Sequence, residues 1–493
     1  MIQDLKPYPR YMDLGVEWLG NVPEHWRILS AFAGYRPKRV RNLGMTEKTV
    51  LSLSYGHIVI KPQSALHGLV PESYETYQVI DPGDIVVRTT DLQNDHTSLR
   101  IGYSETRGII TSAYMNLETR DILLSKFGYQ VLNAYDLLKI IYGFGSGLRQ
   151  SLDFGDLKRM PIPVPSKHEQ FAIVRFLGYM DRRIRRNART KEKLISLLNE
   201  QKQAIIHQAV TRGLDANVPL KPSGMEWLGD VPEHWSTVPL GRCLRGIDQG
   251  WSPVAAEGEI SADQWVVLAL SSIRHGAFHP GEIKPISIPA KDMEKIEITD
   301  GDLLLTRSNT RELVGDVCIV QGVRPKTIIS DLIYRLRVDS AMVDRRYLMY
   351  ELLSRIGRYQ IERDARGSSS SMPKISQQRI RSWRVILPPI DEQQSIVAAL
   401  DGHAQRINAA VQGVQEEISF LREYRYRLIA DLVTGKLDVR EAVARLPEEP
   451  DEPDESDWNQ EAEETEPLDD TEEIPEGDGE TEGTVPAQIL EEV

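Results

Sequence analysis

Residues 16–26 read VEWLGNVPEHW and residues 225–235 read MEWLGDVPEHW, so 9 of 11 positions match at an offset of 209. A match of that length, with two Trp in each copy, is not a product of composition. It marks an internal duplication, and a duplicated chain must fold as two similar units held in fixed relation.

The later parts of the copies agree in pattern and in length. TRGLD at 211–215 aligns with TGKLD at 434–438 at an offset of 223, which also superposes Pro165 on Pro388 and Glu169-Gln170 on Glu392-Gln393. Each copy is therefore a start tag, a variable body of roughly 130 to 150 residues, which is the size of one domain, and a length-matched end. The ends predict long helices. Leu400, Ile407, Val414, Leu421 and Leu428 recur every seven residues, and Leu177, Ile184, Lys191, Leu198 and Ile205 hold the equivalent places in the first copy. Such a stripe is of coiled-coil type. From the proline segment to Gly213 or Gly435 each helix could run about 45 residues, or ~65 Å, and its natural partner is its own repeat. Lys191, a charge on the stripe, would set register or face a partner.

The bodies read as mixed α/β. Turn signals at Pro82-Gly83-Asp84 and Asp300-Gly301-Asp302 lead into short apolar runs at 85–88 and 303–307, and further strands are expected at 266–270, 317–320 and 333–338. Helices are expected late in each body, at 131–142 and 346–358. Pro161, Pro163 and Pro165, and Pro388 and Pro389, then stop the body before the long helix begins.

Net charge needs dividing. The chain holds 59 Lys and Arg against 73 Asp and Glu, yet residues 447–493 carry 21 acidic groups and no basic one. Residues 1–446 are thus +7, mildly basic, and the tail, poor in bulky apolar residues, is expected to be disordered. It is a solvating appendage, or it competes with phosphates for the basic surface. No apolar run approaches the roughly 18 to 20 residues that span a bilayer, and the opening MIQDLKPYPR lacks a signal-peptide pattern, so no membrane association and a cytoplasmic location are expected. Two cysteines, Cys243 and Cys318, cannot form a multi-cysteine metal site and suit a reducing compartment.

Catalytic signatures are missing. The sequence has no GxxxxGK[ST], HExxH, CxxC or GxSxG. Ser371-Met-Pro-Lys374 fits SxxK only formally, because Pro inside it prevents the helical pairing of Ser and Lys. Leu387-Pro388-Pro389-Ile390 lacks the polar acceptor and the ring of the motif found in amino-methyltransferases. His25 and His234 recur beside Trp without other ligands, the setting of a packing histidine and not of a metal site.

Two variable bodies, each opened by WLGxVPEHW and closed by a Pro-rich segment, a Glu-Gln pair and a long helix ending near TRGLD or TGKLD, resemble the specificity subunit of a type I restriction-modification system. The resemblance covers residues 12–440. It implies an α+β fold: two mixed α/β target recognition domains (1–165 and 215–388) separated by two long antiparallel coiled-coil helices (166–214 and 389–445), a pseudo-two-fold duplication, and the acidic tail 446–493 outside it. It further implies double-stranded DNA as ligand, each domain reading one half of a split site while the helices fix the spacer. Catalysis would lie in methyltransferase (M) subunits that use S-adenosylmethionine and in restriction/translocase (R) subunits that use ATP and Mg. This chain itself would bind no cofactor or metal. The other readings are a single-chain restriction or methyltransferase enzyme with a duplicated recognition module, or a coiled-coil scaffold that binds no DNA.

Base-reading residues do not transfer between recognition domains, so the candidates rest on local chemistry. Arg88, Thr89 and Asp91, with Gln93, Asn94 and Arg100, and Arg307, Ser308, Asn309 and Arg311, follow matching strands and supply forks and hydroxyls for base edges and phosphates. The Ser-rich run 367–371, containing Ser368 and Ser369 and flanked by Arg363, Arg366 and Lys374, is a candidate phosphate loop, as is its counterpart 143–149 with Arg149. The tags themselves, Trp18, Trp26, Trp227 and Trp235, are too alike to read different half-sites and are expected to dock each body onto the helix ends.

Overall fold

A computed structural model describes residues 5–16, 18–62, 73–90, 92, 98–144, 152–252, 260–261, 263–287, 293–365 and 372–447. The acidic tail from residue 448, and with it the expectation of disorder, lies outside the described residues. The chain divides into two units. One takes residues up to Asn187 together with those from Phe420 onward, and the other is Ala188–Ser419. Both dividing points fall inside long helices, Lys167–Arg212 and Ile390–Val433, so each unit owns the start of one helix and the end of the other.

Each body is built on a four-stranded antiparallel sheet of the same order. In the first, Tyr35–Pro37, Met115–Thr119, Ile85–Val87 and Ile101–Tyr103 lie side by side. In the second the order is Leu244–Gln249, Ile333–Val338, Leu303–Thr306 and Val317–Ile319. The turns before the central strands match too. Gly83 and Gly301 adopt φ of 97° and 90°, which only glycine takes without strain, and Asp84 and Asp302 each accept the amide of the residue three back, Asp81 at 2.9 Å and Thr299 at 3.0 Å. Period-two alternation then divides the strand. Ile85 and Val87, or Leu303 and Leu305, enter the main core of their body, while Val86, or Leu304, enters a smaller cluster on the other face.

A second shared element closes each body next to its long helix. Arg27–Ser30 pairs with Pro161–Val164 in the first unit, and Ser236–Pro239 pairs with Arg384–Leu387 in the second. The expected late helices are shifted. The first spans Ser125–Leu137, and Lys139 at φ 58° turns the chain into a one-turn 3-10 helix at Ile140–Phe144. The second is two helices, Arg345–Leu353 and Arg355–Asp364, broken at extended Ser354, whose hydroxyl bonds the Glu351 carbonyl at 2.6 Å.

The long helices have 46 and 44 residues. Ser166 and Glu169 form a reciprocal cap at the start of the first, with Ser166 Oγ 2.8 Å from Glu169 Oε2. In its place the second has Pro389, followed by Asp391 and Glu392 in the first turn, a charge placement that suits the helix dipole. That helix ends at Val433 and not near residue 445; Gly435 at φ 80° reverses the chain, and Arg440–Ala444 is a separate short helix. Within each unit the helix segments run antiparallel. In the second unit Lys191 reaches Glu417, and Lys202 Nζ lies 3.0 Å from Asn408 Oδ1. In the first, Arg425 meets Asp181, and burial that would raise the Asp181 carboxyl is outweighed by Arg425 and Arg185, which hold it below its ordinary range. On the stripe Leu177, Ile184, Leu400, Ile407 and Leu428 are buried, whereas Leu198, Ile205, Val414 and Leu421 are half-buried.

Candidate nucleic-acid interface

The tags are held by the Glu-Gln pairs. His25 Nε2 lies 2.8 Å from Glu169 Oε1, and Trp26 Nε1 donates to the same oxygen at 3.4 Å. In the second unit His234 Nε2 and Trp235 Nε1 reach Glu392 Oε2 at 2.8 and 3.0 Å. Burial would raise the Glu169 carboxyl, but hydrogen bonds from His25 and Ser166 hold it below its ordinary value. The adjacent glutamines clamp the bodies. Gln170 Oε1 accepts the Leu124 amide at 2.7 Å and its Nε2 donates to Ile122 and Pro165 carbonyls; Gln393 does the same with Asp344, Met342 and Pro388. Each buried Trp also lies against the glycine that ends a helix. A Cβ on Gly435 would come 3.0 Å from Trp26, and one on Gly213 would come 3.2 Å from Trp235. The tags are thus joints between body and helix through the inward indoles of Trp26 and Trp235, whereas Trp18 is exposed against Phe144 and Trp227 is half-buried against Tyr359.

Beyond the central strand of the second body, the structure brings two candidate segments together. Ser308 bridges to Lys374, and the Arg307 carbonyl accepts the Ile375 amide at 2.9 Å. Arg307 is half-buried, with Nη1 on the Asp331 carbonyl at 3.2 Å and its guanidinium 5.8 Å from the Tyr334 ring centre. Five N–H donors on one fork leave others for a ligand. Arg311 and Lys374 are exposed. Ser308, however, is fully buried, and Asn309, 7% exposed, spends its Oδ1 on the Thr310 amide at 2.8 Å, so neither presents a free side chain at the surface.

In the first body Thr89 takes the place of Arg307, its carbonyl accepting the Leu152 amide at 3.0 Å. Thr89 is buried with its hydroxyl on the Ala113 carbonyl at 3.0 Å. Arg88 is half-buried one register step earlier, so the two arginines are not equivalent. Arg100 has no exposed surface. Its Nε meets Tyr142 Oη at 3.0 Å, Nη1 meets the Thr90 carbonyl at 2.5 Å, and its amide bonds Asp136, so it braces the body from inside and cannot touch DNA. Asp91, Gln93, Asn94, Arg149, Arg366, Ser368 and Ser369 lie outside the described residues. Near Thr89, an open cleft of about 350 Å³ is lined by Arg39, Tyr114, Asn116 and Phe154, none of which the sequence singled out. Among the described residues no helix is long and apolar enough to cross a membrane.

Two like bodies, each with an antiparallel sheet and jointed to a long helix, define a duplicated α+β protein with a paired-helix connector. Residues 289–419 match the family model of the type I restriction modification DNA specificity domain. The chain is 29% identical over 185 residues to the type I restriction enzyme EcoEI specificity subunit of Escherichia coli, covering 37% of this chain and 31% of that one. It is 22% identical over 305 residues to the type I restriction enzyme StySPI specificity subunit of Salmonella potsdam, covering 58% and 63%. The matched stretches thus span less than two thirds of these curated relatives. A solved structure from work on complex assembly and conformational transition of the type I R-M system, 16% identical, covers 84% of this chain and 99% of that chain at a TM-score of 0.58, a likeness of fold. The matched family model and the curated relatives thus make this chain similar to type I restriction enzyme specificity subunits.

Proposed function

We propose that this chain is the non-catalytic subunit that gives a type I restriction-modification complex its DNA sequence specificity. The bodies at 1–165 and 215–388 each read one half of a split duplex site, and the helices Lys167–Arg212 and Ile390–Val433 fix the spacer. Methylation by S-adenosylmethionine-using M subunits, and ATP- and Mg-dependent translocation and cleavage by R subunits, take place on partners in the cytoplasm. The observation that carries this reading is the repeated joint. Two bodies with the same sheet order are fastened by the same Trp-His-Glu contact to the starts of two length-matched helices, as a protein matched to a two-part target would be. The basic edge of Arg307, Arg311 and Lys374 supplies the donors for one half-site, with Arg88 as the first-body candidate.

Expressed alone, the chain should neither methylate nor cleave DNA. Co-expressed with a methyltransferase subunit, it should direct adenine methylation to a split motif. Adenine methylation by the purified chain with S-adenosylmethionine alone would overturn the division of labour. Seven residues inserted in register after Leu198 should change the spacer or abolish recognition of the native site; an unchanged spacer in the methylome would remove the helices as a ruler. Arg307→Ala should weaken binding at one position of one half-site by on the order of 1 to 3 kcal/mol. A loss spread over all sequences, with a smaller salt slope, would make Arg307 a phosphate contact.

A further inference from the structure

Each body also carries a tight hairpin, and the two hairpins are built alike. In the first, Leu51–Ser54 pairs with His57–Ile60 across Tyr55 and Gly56. In the second, Ile273–Arg274 pairs with Ala277–Phe278 across His275 and Gly276. Tyr55 and His275 have φ of 45° and 50°, and both glycines have φ of 80°. Two successive left-handed residues make the turn that best fits twisted strands, and its first position favours Asn, Asp or Gly. Neither Tyr nor His is among those favoured residues, yet each body places a ring there.

Both hairpins are fixed against the same strand of their sheets. In the first body Leu53 and Ile58 pack so closely over Gly102 that a Cβ there would lie 2.5 and 2.8 Å from their methyl carbons. In the second, the His275 and Gly276 amides both donate to the buried carboxylate of Asp316, which also accepts the Val317 amide at 2.9 Å. Asp316 is tied in turn to the central strand, its carbonyl accepting the Thr306 amide at 2.9 Å. The second tip therefore sits at the edge that bears Arg307. Tyr55 is 46% exposed, and Arg274 and His275 are exposed.

The tags and the hairpins differ in an informative way. In the tags the backbone and the side chains are both repeated, as a joint requires. In the hairpins the backbone and the turn glycine are repeated, and the residues before the glycine differ: Ser54-Tyr55 in one body, Arg274-His275 in the other. A fixed support with exchangeable polar tips is what two readers of different sequences need. We propose that these two tips are base-reading elements, each contacting base edges in the half-site of its own body. The proposal rests on the DNA-reading function above. A two-stranded ribbon fits the major groove; Arg274 offers a guanidinium fork for guanine, and His275, Tyr55 and Ser54 offer single donors or acceptors.

The test uses the full chain co-expressed with its methyltransferase partner, read by the methylated motif and by binding of the complex to single-base-pair variants of its site. His275→Asn and Tyr55→Asn remove the ring but place a favoured residue in the turn, so the hairpins stay intact and thermal stability should hold or rise. Each variant, and Arg274→Ala, should relax one position of one half-site while the other half-site is unchanged; loss of the Arg274 fork should lower preference for the native base pair roughly 5- to 150-fold, and loss of the single contacts of His275 or Tyr55 should lower it by less. A wild-type motif with wild-type discrimination in all three variants overturns the proposal. So does a loss equal at every sequence, which marks phosphate contacts. If the wild-type complex recognises no split motif, the function itself fails before any variant is compared.

Discussion

Next to the central strand, the first body carries Arg100 and the second carries Asp316. The two positions are equivalent: the Arg100 carbonyl accepts the Arg88 amide as the Asp316 carbonyl accepts that of Thr306, both at 2.9 Å. Each is buried, and each uses its charge on backbone groups, but in opposite directions. Arg100 donates to the Thr90 carbonyl and braces the segment after the strand. Asp316 accepts turn amides and braces the hairpin. Two descendants of one unit kept the same scaffold and reversed the polarity of an internal brace. Where a body is supported can therefore change without changing its sheet, and the shared joint to the helix leaves such changes local.

That locality can be broken by experiment. The largest effect is expected at the joints themselves. Trp235 and Trp26 are almost fully buried, so Trp→Ala should cost about 3 to 5 kcal/mol at either site. In hydrogen exchange, Trp235→Ala should lower protection in Ala188–Ser419 alone; an equal loss in the other unit would mean that the units unfold together. Arg100→Ala comes next, at roughly 2 to 4 kcal/mol, because the partners of a buried charge are left unsatisfied. It should loosen residues 88–90 and leave the Tyr55 turn protected.

Glu169→Gln should cost about 1.5 to 3 kcal/mol, the range for hydrogen bonds to a charged group. Its pH dependence has a definite sign. A carboxyl held below its ordinary value stabilises the fold above that ordinary value, near pH 4.5, and loses the contribution as pH falls through the lowered one. Wild type should thus show a steeper loss of first-unit stability below pH 4.5 than Glu169→Gln, and equal acid limbs would refute the assignment. Asp316→Asn should cost roughly 1 to 2 kcal/mol, seen as faster exchange at His275 and Gly276. The smallest effect is at Lys191. Its pair with Glu417 is partly solvated, so Lys191→Ala should change stability by at most about 1 kcal/mol, and less in high salt.

The duplication, the strand-turn signals and the helix stripe were legible because each is periodic or repeated in the sequence. The helix starts were legible in part: the prolines and the Glu-Gln pairs were plain, but their docking to PEHW joins residues 144 and 158 positions apart, and no local pattern carries that. Arg100 was misread because a charged residue after a polar loop looks solvated, while its burial depends on Tyr142 and Asp136 from a later helical region. Ser308 and Asn309 were read as donors for DNA, yet both are buried, Ser308 beside its bridge to Lys374, 66 residues on, and Asn309 with its Oδ1 on the next amide. The hairpins escaped notice for the reverse reason. Asn-Gly or Asp-Gly would have announced them, and Tyr-Gly and His-Gly do not.

The division of the chain has a consequence for synthesis on the ribosome. The unit that begins with the N-terminus is completed by residues from Phe420 onward, among them Leu428, Ile429, Leu432 and Val433 of its core. All of Ala188–Ser419 must be translated first, which at 5 to 20 residues per second takes roughly 10 to 50 s. During that interval the N-terminal body has an apolar face without its cover, while the unit encoded in the middle can already close. The first body made is the last to be finished, and it is the one for which a nascent-chain chaperone has the longest time to act.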